Sequence, residues 1–380
     1  MKAFQVFLVA LVIGATSTAG GTGHGAESTA DELFGQPRVL RLSIELPAKA
    51  VEDLKRDRKT YVRAVVREGS SPYRDVAVRL KGNGSFQGLD QKPGLSLKFN
   101  EFVQGQKFHG HARILLDNSR QDPTYLCESL GSHLFREAGL PAPRTTFARV
   151  DLNGRDAGLY IVAEAVNKDF LARHFRKSKG NLYEGSNNDV TDTLEKDSGD
   201  DTTDQKDLKA LAKAAQEADP AQRWKKLNQV LDIDRFVTFA ALEVLAWHRD
   251  GYAMDRKNYR IYADPNSSQM VFLPHGMDLL FGQPTGALWP AWKGLVARAV
   301  FETPEGRQRY TERMNTLLAG AANSTALLGQ IQQLTALVRP ALPEKDGKDF
   351  DAAVQRLRDN VSARANFLQG ELKKAAPAAK

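Results

Sequence analysis

The sequence predicts an α+β protein with a β-rich N-terminal lobe, residues 38–163, and a mainly helical C-terminal lobe, residues 164–375. In the first part, short runs alternate apolar and polar residues between turn residues, as half-buried strands do. In the second part, longer runs repeat apolar residues with the helical period. The composition is 42% hydrophobic and 26% charged, which is typical of a globular chain.

Residues 1–26 have the form of a secretory signal peptide. Lys2 precedes an uncharged apolar run, and small residues follow that run. The run is shorter than the ~20 residues that a membrane span requires. We therefore expect an exported protein (secreted, periplasmic or cell-surface) without a transmembrane span after signal removal. The single cysteine, Cys127, excludes an internal disulfide.

The formal net charge is +7, although residues 186–207 are strongly acidic. We expect this segment to be a solvated surface insertion, and a calcium-binding loop is the alternative, although the EF-hand spacing is missing. The remaining basic surface could bind an acidic or phosphorylated partner. Nucleic acid is not expected as a partner, because the basic residues are scattered along the chain.

Strand and helix signals follow one another in the N-terminal half. A helix is predicted from Asp122, which is a suitable N-cap with Pro123 at the first helical position, to Gly139. The predicted strands are residues 38–46, 60–68, 73–82 and 94–102, a further hairpin turns at residues 153–158, and a short helix covers residues 47–57.

Four residues and one loop in this half are candidates for nucleotide binding. The glycine-rich loop 82–88 could cradle phosphate through its N–H groups, or it could be a plain hairpin turn. Lys81 and Lys98 stand on the adjoining strands, where either could reach a phosphate or simply face solvent. Glu128, in the predicted helix, could pair with a strand lysine or lie on the surface. Glu164 ends a strand where the chain passes between lobes, so it could meet an adenine edge, meet a cation or cap the next helix.

The C-terminal half is predicted to form a series of helices. The run from residue 232 to residue 247 is apolar on most faces, so we expect it to be the central buried helix. The other helices are predicted at residues 205–218, 221–231, 304–320, 324–342 and 346–374.

Residues 248–282 concentrate the groups that phosphate chemistry requires. A polar loop carries Asp250 and Asn258, a predicted hairpin follows, and Asp278 comes directly after the hairpin. One carboxylate could orient an attacking hydroxyl, while an amide and a second carboxylate could hold Mg²⁺. The order of parts is similar to that of protein kinases, although the spacing differs. The alternative is that these are ordinary turn residues.

Several stretches together resemble the CotH kinase family. They are "VRLKGNGSFQ", "LSLKFNEF", "DPTYLCESLGSHLFREAGLPAPRTTFARVDLNG", "GLYIVAEAVNKDFL", "GNLYEG", "DIDRFVTFAALEVLAWHRDGY", "NYRIYADP" and "FLPHGMDLLFG". The resemblance implies an atypical protein-kinase-like two-lobed fold. It also implies transfer of the γ-phosphate of ATP, with Mg²⁺ or Mn²⁺, to serine or threonine of an envelope, coat or secreted protein.

The resemblance also implies roles for particular residues. Asp250 matches the family's catalytic aspartate, and Asn258 and Asp278 match candidate metal ligands. By analogy with kinases, the nucleotide-binding residues would be Lys98 paired with Glu128, together with Lys81 and Glu164.

This sequence departs from the family at one position. Gly276 stands where the family often has the first of two aspartates. Two alternatives to an exported Ser/Thr kinase stay open. One is a catalytically inactive binding protein of the envelope or surface, and the other is a nucleotidyl transferase on the same fold.

Overall fold

The computed structural model describes residues 30–199 and 205–375, so the predicted signal segment lies outside the described residues. The described residues form a mixed α+β structure, as predicted. Within them, no helix is both long and apolar enough to cross a membrane.

Seven strands close into a barrel in the N-terminal half. Neighbouring strands are antiparallel except β1 and β6, whose parallel pairing closes the barrel. Alternate residues point inward and form an apolar core of their own. In the order β1-β2-β3-β4-β5-β7-β6, the strands are β1 (Val39–Glu45), β2 (Val62–Glu68), β3 (Ser71–Lys81), β4 (Gly94–Lys98), β5 (Arg113–Asp117), β7 (Arg155–Glu164) and β6 (Thr145–Leu152).

The hairpin between β6 and β7 is confirmed, with Asn153 and Gly154 both at positive φ, as a tight hairpin turn requires. The helices of this half are α1 (Ala30–Phe34), α2 (Ala48–Arg56), α3 (Cys127–Glu137) and α4 (Lys168–His174).

The predicted start of α3 is wrong. Tyr125 has a φ of +59°, which breaks the helix, so α3 begins at Cys127 rather than after Asp122. The Asp122 carboxylate nevertheless accepts the N–H of Cys127 at 2.8 Å, and it therefore caps the helix from a preceding turn. Gly139 ends the helical segment at positive φ, as predicted.

A second sheet of four strands has the order β11-β10-β8-β9. The predicted hairpin, β10 and β11, is confirmed and lies at one edge of this sheet. The strands are β8 (Leu182–Gly185), β9 (Glu195–Ser198), β10 (Tyr259–Asp264) and β11 (Gln269–Pro274).

The expectation of a solvated insertion at residues 186–207 is wrong for several of its acids. Asp189 is 5% exposed and accepts hydrogen bonds from the Tyr252 hydroxyl and the Leu295 N–H. Asp197 pairs with Arg260 of β10. Elements distant in sequence supply these partners, so the acids are part of the packed structure.

The remaining helices pack around a second apolar core. The central position of α7 is confirmed, since eleven of its thirteen residues are buried. The short α8 and α9 were not predicted. The helices are α5 (Lys206–Ala215), α6 (Pro220–Val230), α7 (Ile233–Leu245), α8 (Tyr252–Asp255), α9 (Leu295–Phe301), α10 (Pro304–Ala319), α11 (Ser324–Val338) and α12 (Gly347–Ala375).

Candidate functional site

The β10–β11 hairpin brings Asn258 close to the residues around Asp278. Tyr259 pairs with Pro274 in the hairpin register, so Asn258 and His275 are neighbours at its open end. The Asn258 carbonyl accepts the His275 N–H at 3.2 Å. Two of the predicted site segments therefore meet because of local strand pairing.

Gly276 lies directly against the Asn258 side chain. A Cβ at residue 276 would come within 2.8 Å of Asn258 Oδ1, and the φ of Gly276 is +57°. Both facts favour glycine here, because a side chain would be strained and would displace the Asn258 amide. The departure from the family pattern therefore matches the local geometry of this chain.

The loop after α7 carries Asp250. His248 is buried, and its Nε2 donates a hydrogen bond to the Gly276 carbonyl at 3.1 Å. The same Nε2 lies 3.4 Å from Asp250 Oδ1. His248 thereby connects the Asp250 loop to the Asp278 loop, and burial lowers its pKa and keeps it neutral.

Glu243, in α7, holds the loop that carries Asp250 through hydrogen bonds to the backbone that follows Asp250. Its carboxyl oxygens accept the N–H groups of Tyr252 and Ala253, each at 2.8 Å. Burial, followed by the nearby charge of Asp250, raises the pKa of Glu243 to about 8. Sequence reasoning missed this residue, although an acid among the apolar residues in the second half of α7 was a usable signal.

Asp250 and Asp278 carry negative charge that their surroundings leave uncompensated. Among the described residues, Asp250 Oδ1 is buried and has no hydrogen-bond partner. Burial, and then the charges of Asp117 and Asp250, raise the pKa of Asp278 to about 7. Carboxyl groups crowded in this way take up either a proton, as the raised pKa of Asp278 shows, or a cation.

Glu128 of α3 reaches the same place. Its carboxyl accepts the Met277 N–H at 2.5 Å. Burial, and then Asp117 and Asp278, raise its pKa to about 8. Glu128 therefore joins the site by a hydrogen bond to the Asp278 loop, and the nearby charge of Lys81 acts on it as well.

Lys81, at the end of β3, is the lysine of this site. It forms an ion pair with Asp117 at 2.6 Å, and both side chains are about three quarters buried. Burial favours a lower pKa for Lys81. The negative charges of Asp117, Glu128 and Asp278 outweigh burial, so the pKa of Lys81 is raised. Asp117 was not predicted as a site residue.

The predicted pairing of Lys98 with Glu128 is wrong. Lys98 forms an ion pair with Glu101 instead. The strand register explains the difference, because Lys81 pairs with Gly94 while Lys98 pairs with Ala77. The two lysines thus lie at opposite ends of the same pair of strands, about 13 Å apart along them.

Glu164 lies apart from the cluster of Asp250, Asp278 and Lys81, and it forms ion pairs with two arginines. It is 2% exposed, and its carboxylate binds both Arg144 and Arg173. Burial favours a higher pKa, but the two guanidinium groups outweigh it and lower the pKa to about 2. The predicted contact of Glu164 with a cation fits this geometry. The predicted capping role does not, because Asn167 caps the next helix, α4.

The glycine-rich loop between β3 and β4 is held in place by side chains. The Asn118 amide donates to the carbonyls of Ser85 and Lys92, both at 2.9 Å. Arg120 donates to the Phe86 carbonyl, and Arg58 donates to that of Gly82. Asn118 directly follows Asp117, so the end of β5 fixes both Lys81 and the adjoining loop.

The two best-defined cavities in the described residues lie elsewhere. One, of about 470 Å³, lies beside Asn181, Asp207 and Met270, and the other, of about 540 Å³, lies between α6, α7 and α10. Neither is lined by Asp250, Asp278 or Lys81. The charged cluster is therefore identified by its chemistry.

The donor set fits one kind of metal ion better than others. Within the described residues, no three His, Cys, Asp or Glu side chains are grouped so that they could hold a metal by themselves. Mg²⁺ is usually held by one or two carboxylates together with substrate phosphates, whereas Zn²⁺ and Ca²⁺ require fuller protein cages. Asp278, Asp250 and the Asn258 amide fit the first arrangement.

Comparison with known proteins points to one family. A family model described as "CotH kinase protein" matches residues 78–373. Inner spore coat protein H of Bacillus subtilis is 22% identical over 299 residues, covering 71% of this chain and 81% of that protein. The invasin CotH7 of Rhizopus delemar is 25% identical over 197 residues, covering 47% of this chain but only 32% of the invasin.

Solved structures show a weaker likeness. The Helicobacter pylori proinflammatory kinase CtkA matches with a TM-score of 0.37 and 10% identity, covering 74% of this chain and 94% of that one. A Shewanella oneidensis complex of HipA, HipB and operator DNA matches with a TM-score of 0.36 and 13% identity, covering 88% and 73%. Likeness at this level does not define the fold of this chain.

Proposed function

This chain belongs to the CotH kinase family, and we propose that it is an exported atypical Ser/Thr protein kinase with a two-lobed kinase-like arrangement. The observation that carries the proposal is the uncompensated charge of Asp250 and Asp278 beside the Lys81–Asp117 ion pair. A nucleotide with its cation supplies what that cluster lacks, namely positive charge for the acids and phosphate for the lysine.

Each residue has a defined part in this proposal. Asp250 orients the hydroxyl of the acceptor and accepts its proton, as the shared pattern of kinase sites requires. Asp278 and Asn258 hold the metal ion, which neutralises charge on the phosphates when bound. Lys81 contacts a phosphate while Asp117 and Glu128 fix its surroundings. Positioning of the reacting groups and neutralisation of the phosphate charge supply most of the rate enhancement.

Export is supported by the signal-like residues 1–26 and by the names of the relatives, a spore coat protein and an invasin. The acceptor would accordingly be a coat, envelope or secreted protein.

Intact-mass spectrometry with ATP and Mg²⁺ or Mn²⁺, in the presence of candidate coat or envelope acceptors, tests the reaction. We expect a gain of one phosphoryl group on the acceptor or the enzyme, lost in Asp250→Asn and in Asp278→Asn. Glu344→Gln, at a side chain that is 95% exposed, is the matched control and should behave as the wild type.

Two results would contradict the kinase reaction. A gain of one nucleotidyl group would indicate nucleotidyl transfer. Absence of any gain, together with a thermal midpoint that nucleotide leaves unchanged, would indicate a binding protein.

A further inference from the structure

A second basic group lies next to Lys81 on the outer face of the barrel. Arg79 of β3 is two residues before Lys81, so its side chain points to the same face, about 7 Å along the strand. Arg79 pairs with Ser96 of β4, and Arg113 of β5 donates from Nε to Ser96 Oγ at 3.1 Å. Ser96 therefore contacts the Arg113 side chain and lies opposite Arg79 in the strand register, and both arginines are half-buried.

Neither guanidinium has a carboxylate in contact within the described residues. The Arg79 guanidinium lies over the Tyr61 ring, at 5.0 Å from its centroid. Arg113 has Ser96 as its hydrogen-bond partner. The Glu184 carboxylate is near, but it is bound at 2.6 Å by Arg260, which also pairs with Asp197.

Charged groups of both signs surround the two guanidinium groups. Burial lowers the pKa of Arg113, and Arg260 and Arg79 act in the same direction, against the Tyr61 hydroxyl and Asp197. His275 faces the same region from the end of the second sheet. Folding thus holds two unpaired guanidinium groups together at a cost, which a bound anion would offset.

We propose that Arg79 and Arg113 form a phosphate subsite that binds a second phosphate group of the nucleotide held at Lys81. This inference rests on the proposed function and deepens it. A planar guanidinium matches the oxygens of a phosphate, and two such groups beside a serine hydroxyl make a directional site. The phosphate chain then runs along β3, from the acids at Asp278 toward Tyr61.

Calorimetric titration of the full-length protein with ATP, adenosine and inorganic tripolyphosphate tests the subsite. The variants are Arg79→Gln, Arg113→Gln and the double variant, with the exposed Arg41→Gln as control. We expect the double variant to bind ATP and tripolyphosphate at least tenfold more weakly, because charged hydrogen bonds to phosphate are lost, and to bind adenosine as the wild type does. Equal thermal midpoints would show that the variants are folded.

Equal affinity of the wild type and the folded double variant for both ATP and tripolyphosphate would overturn the subsite. This result is distinct from failure of the proposed function. If tripolyphosphate binding depends on the two arginines but no group is transferred, the subsite holds and the kinase reaction fails. If transfer depends on Asp250 while the arginine variants bind ATP normally, the reaction holds and the subsite fails.

Discussion

Glu164 and the Asp250–Asp278 cluster are two buried acidic regions with opposite surroundings: arginines surround the first, and other acids surround the second. Glu164 receives two arginines, and its pKa falls to about 2. Burial, and then the other acids nearby, raise the pKa of Asp278 to about 7. Two arginines hold the charge of Glu164 within the fold, whereas buried acids without such partners favour a bound cation.

The largest contrast is expected between two lysines. Lys81→Met should weaken ATP binding roughly tenfold or more, because the site loses a charged contact with phosphate. Lys98→Met should weaken ATP binding much less, since Lys98 is paired with Glu101 and lies opposite Arg113 and not beside Lys81. Calorimetry on both variants checks this prediction, and equal losses would contradict the assignment of Lys81.

Glu164→Gln should destabilise the folded protein by roughly 3 kcal/mol at neutral pH, since its pKa falls from 4.5 to about 2 on folding. A depressed pKa contributes stability above pH 4.5, and this contribution is lost as pH falls toward 2. Urea unfolding of both proteins between pH 7 and pH 3 should therefore show a difference that shrinks with acidification. A difference independent of pH would mean that packing, and not charge, is lost.

Gly276→Asp restores the residue that the family often has, yet it should harm this protein. The left-handed backbone disfavours a side chain by roughly 1–2 kcal/mol, and the new Cβ would displace Asn258. Thermal unfolding should show the loss, with Gly282→Asp, where a Cβ meets nothing within 4 Å, as the control. A gain in both stability and metal-dependent transfer would show that the chain lacks a needed ligand.

Glu128→Gln should have the opposite sign to Glu164→Gln. Because the pKa of Glu128 rises from 4.5 to about 8 on folding, the folded protein takes up a proton at neutral pH, and this uptake costs stability that a neutral amide does not cost. The free energy of unfolding should therefore rise by up to roughly 3 kcal/mol at pH 7, while the amide oxygen can still accept the Met277 N–H. The two glutamate variants form a matched pair in one urea titration series. A loss of stability in both would remove the distinction between the two regions.

Local patterns explain which parts the sequence could predict. Asp250, Asn258 and Asp278 lie within one short stretch, and a hairpin with a strong turn signal brings the last two segments together. Helix α7 is long and apolar on most faces, so its burial could be predicted from its sequence.

Non-local pairing explains what the sequence could not predict. Lys81 and Lys98 look alike along the chain, and only the register of β3 with β4 separates them. The acids of residues 186–199 looked solvated because their partners, Tyr252 and Arg260, are distant in sequence. Glu243 and Asp117 acquire their roles only when folding buries them beside other charges.

The most direct test of the central claim is the thermal stabilisation that Mn²⁺ and ATP together give to the wild type and to Asp278→Asn. A ligand that binds only the folded protein raises its stability with concentration. We predict a concentration-dependent rise in the wild-type midpoint that needs both Mn²⁺ and ATP and that is absent in Asp278→Asn. An equal rise in both proteins would show that the uncompensated acids are not where the metal and nucleotide bind.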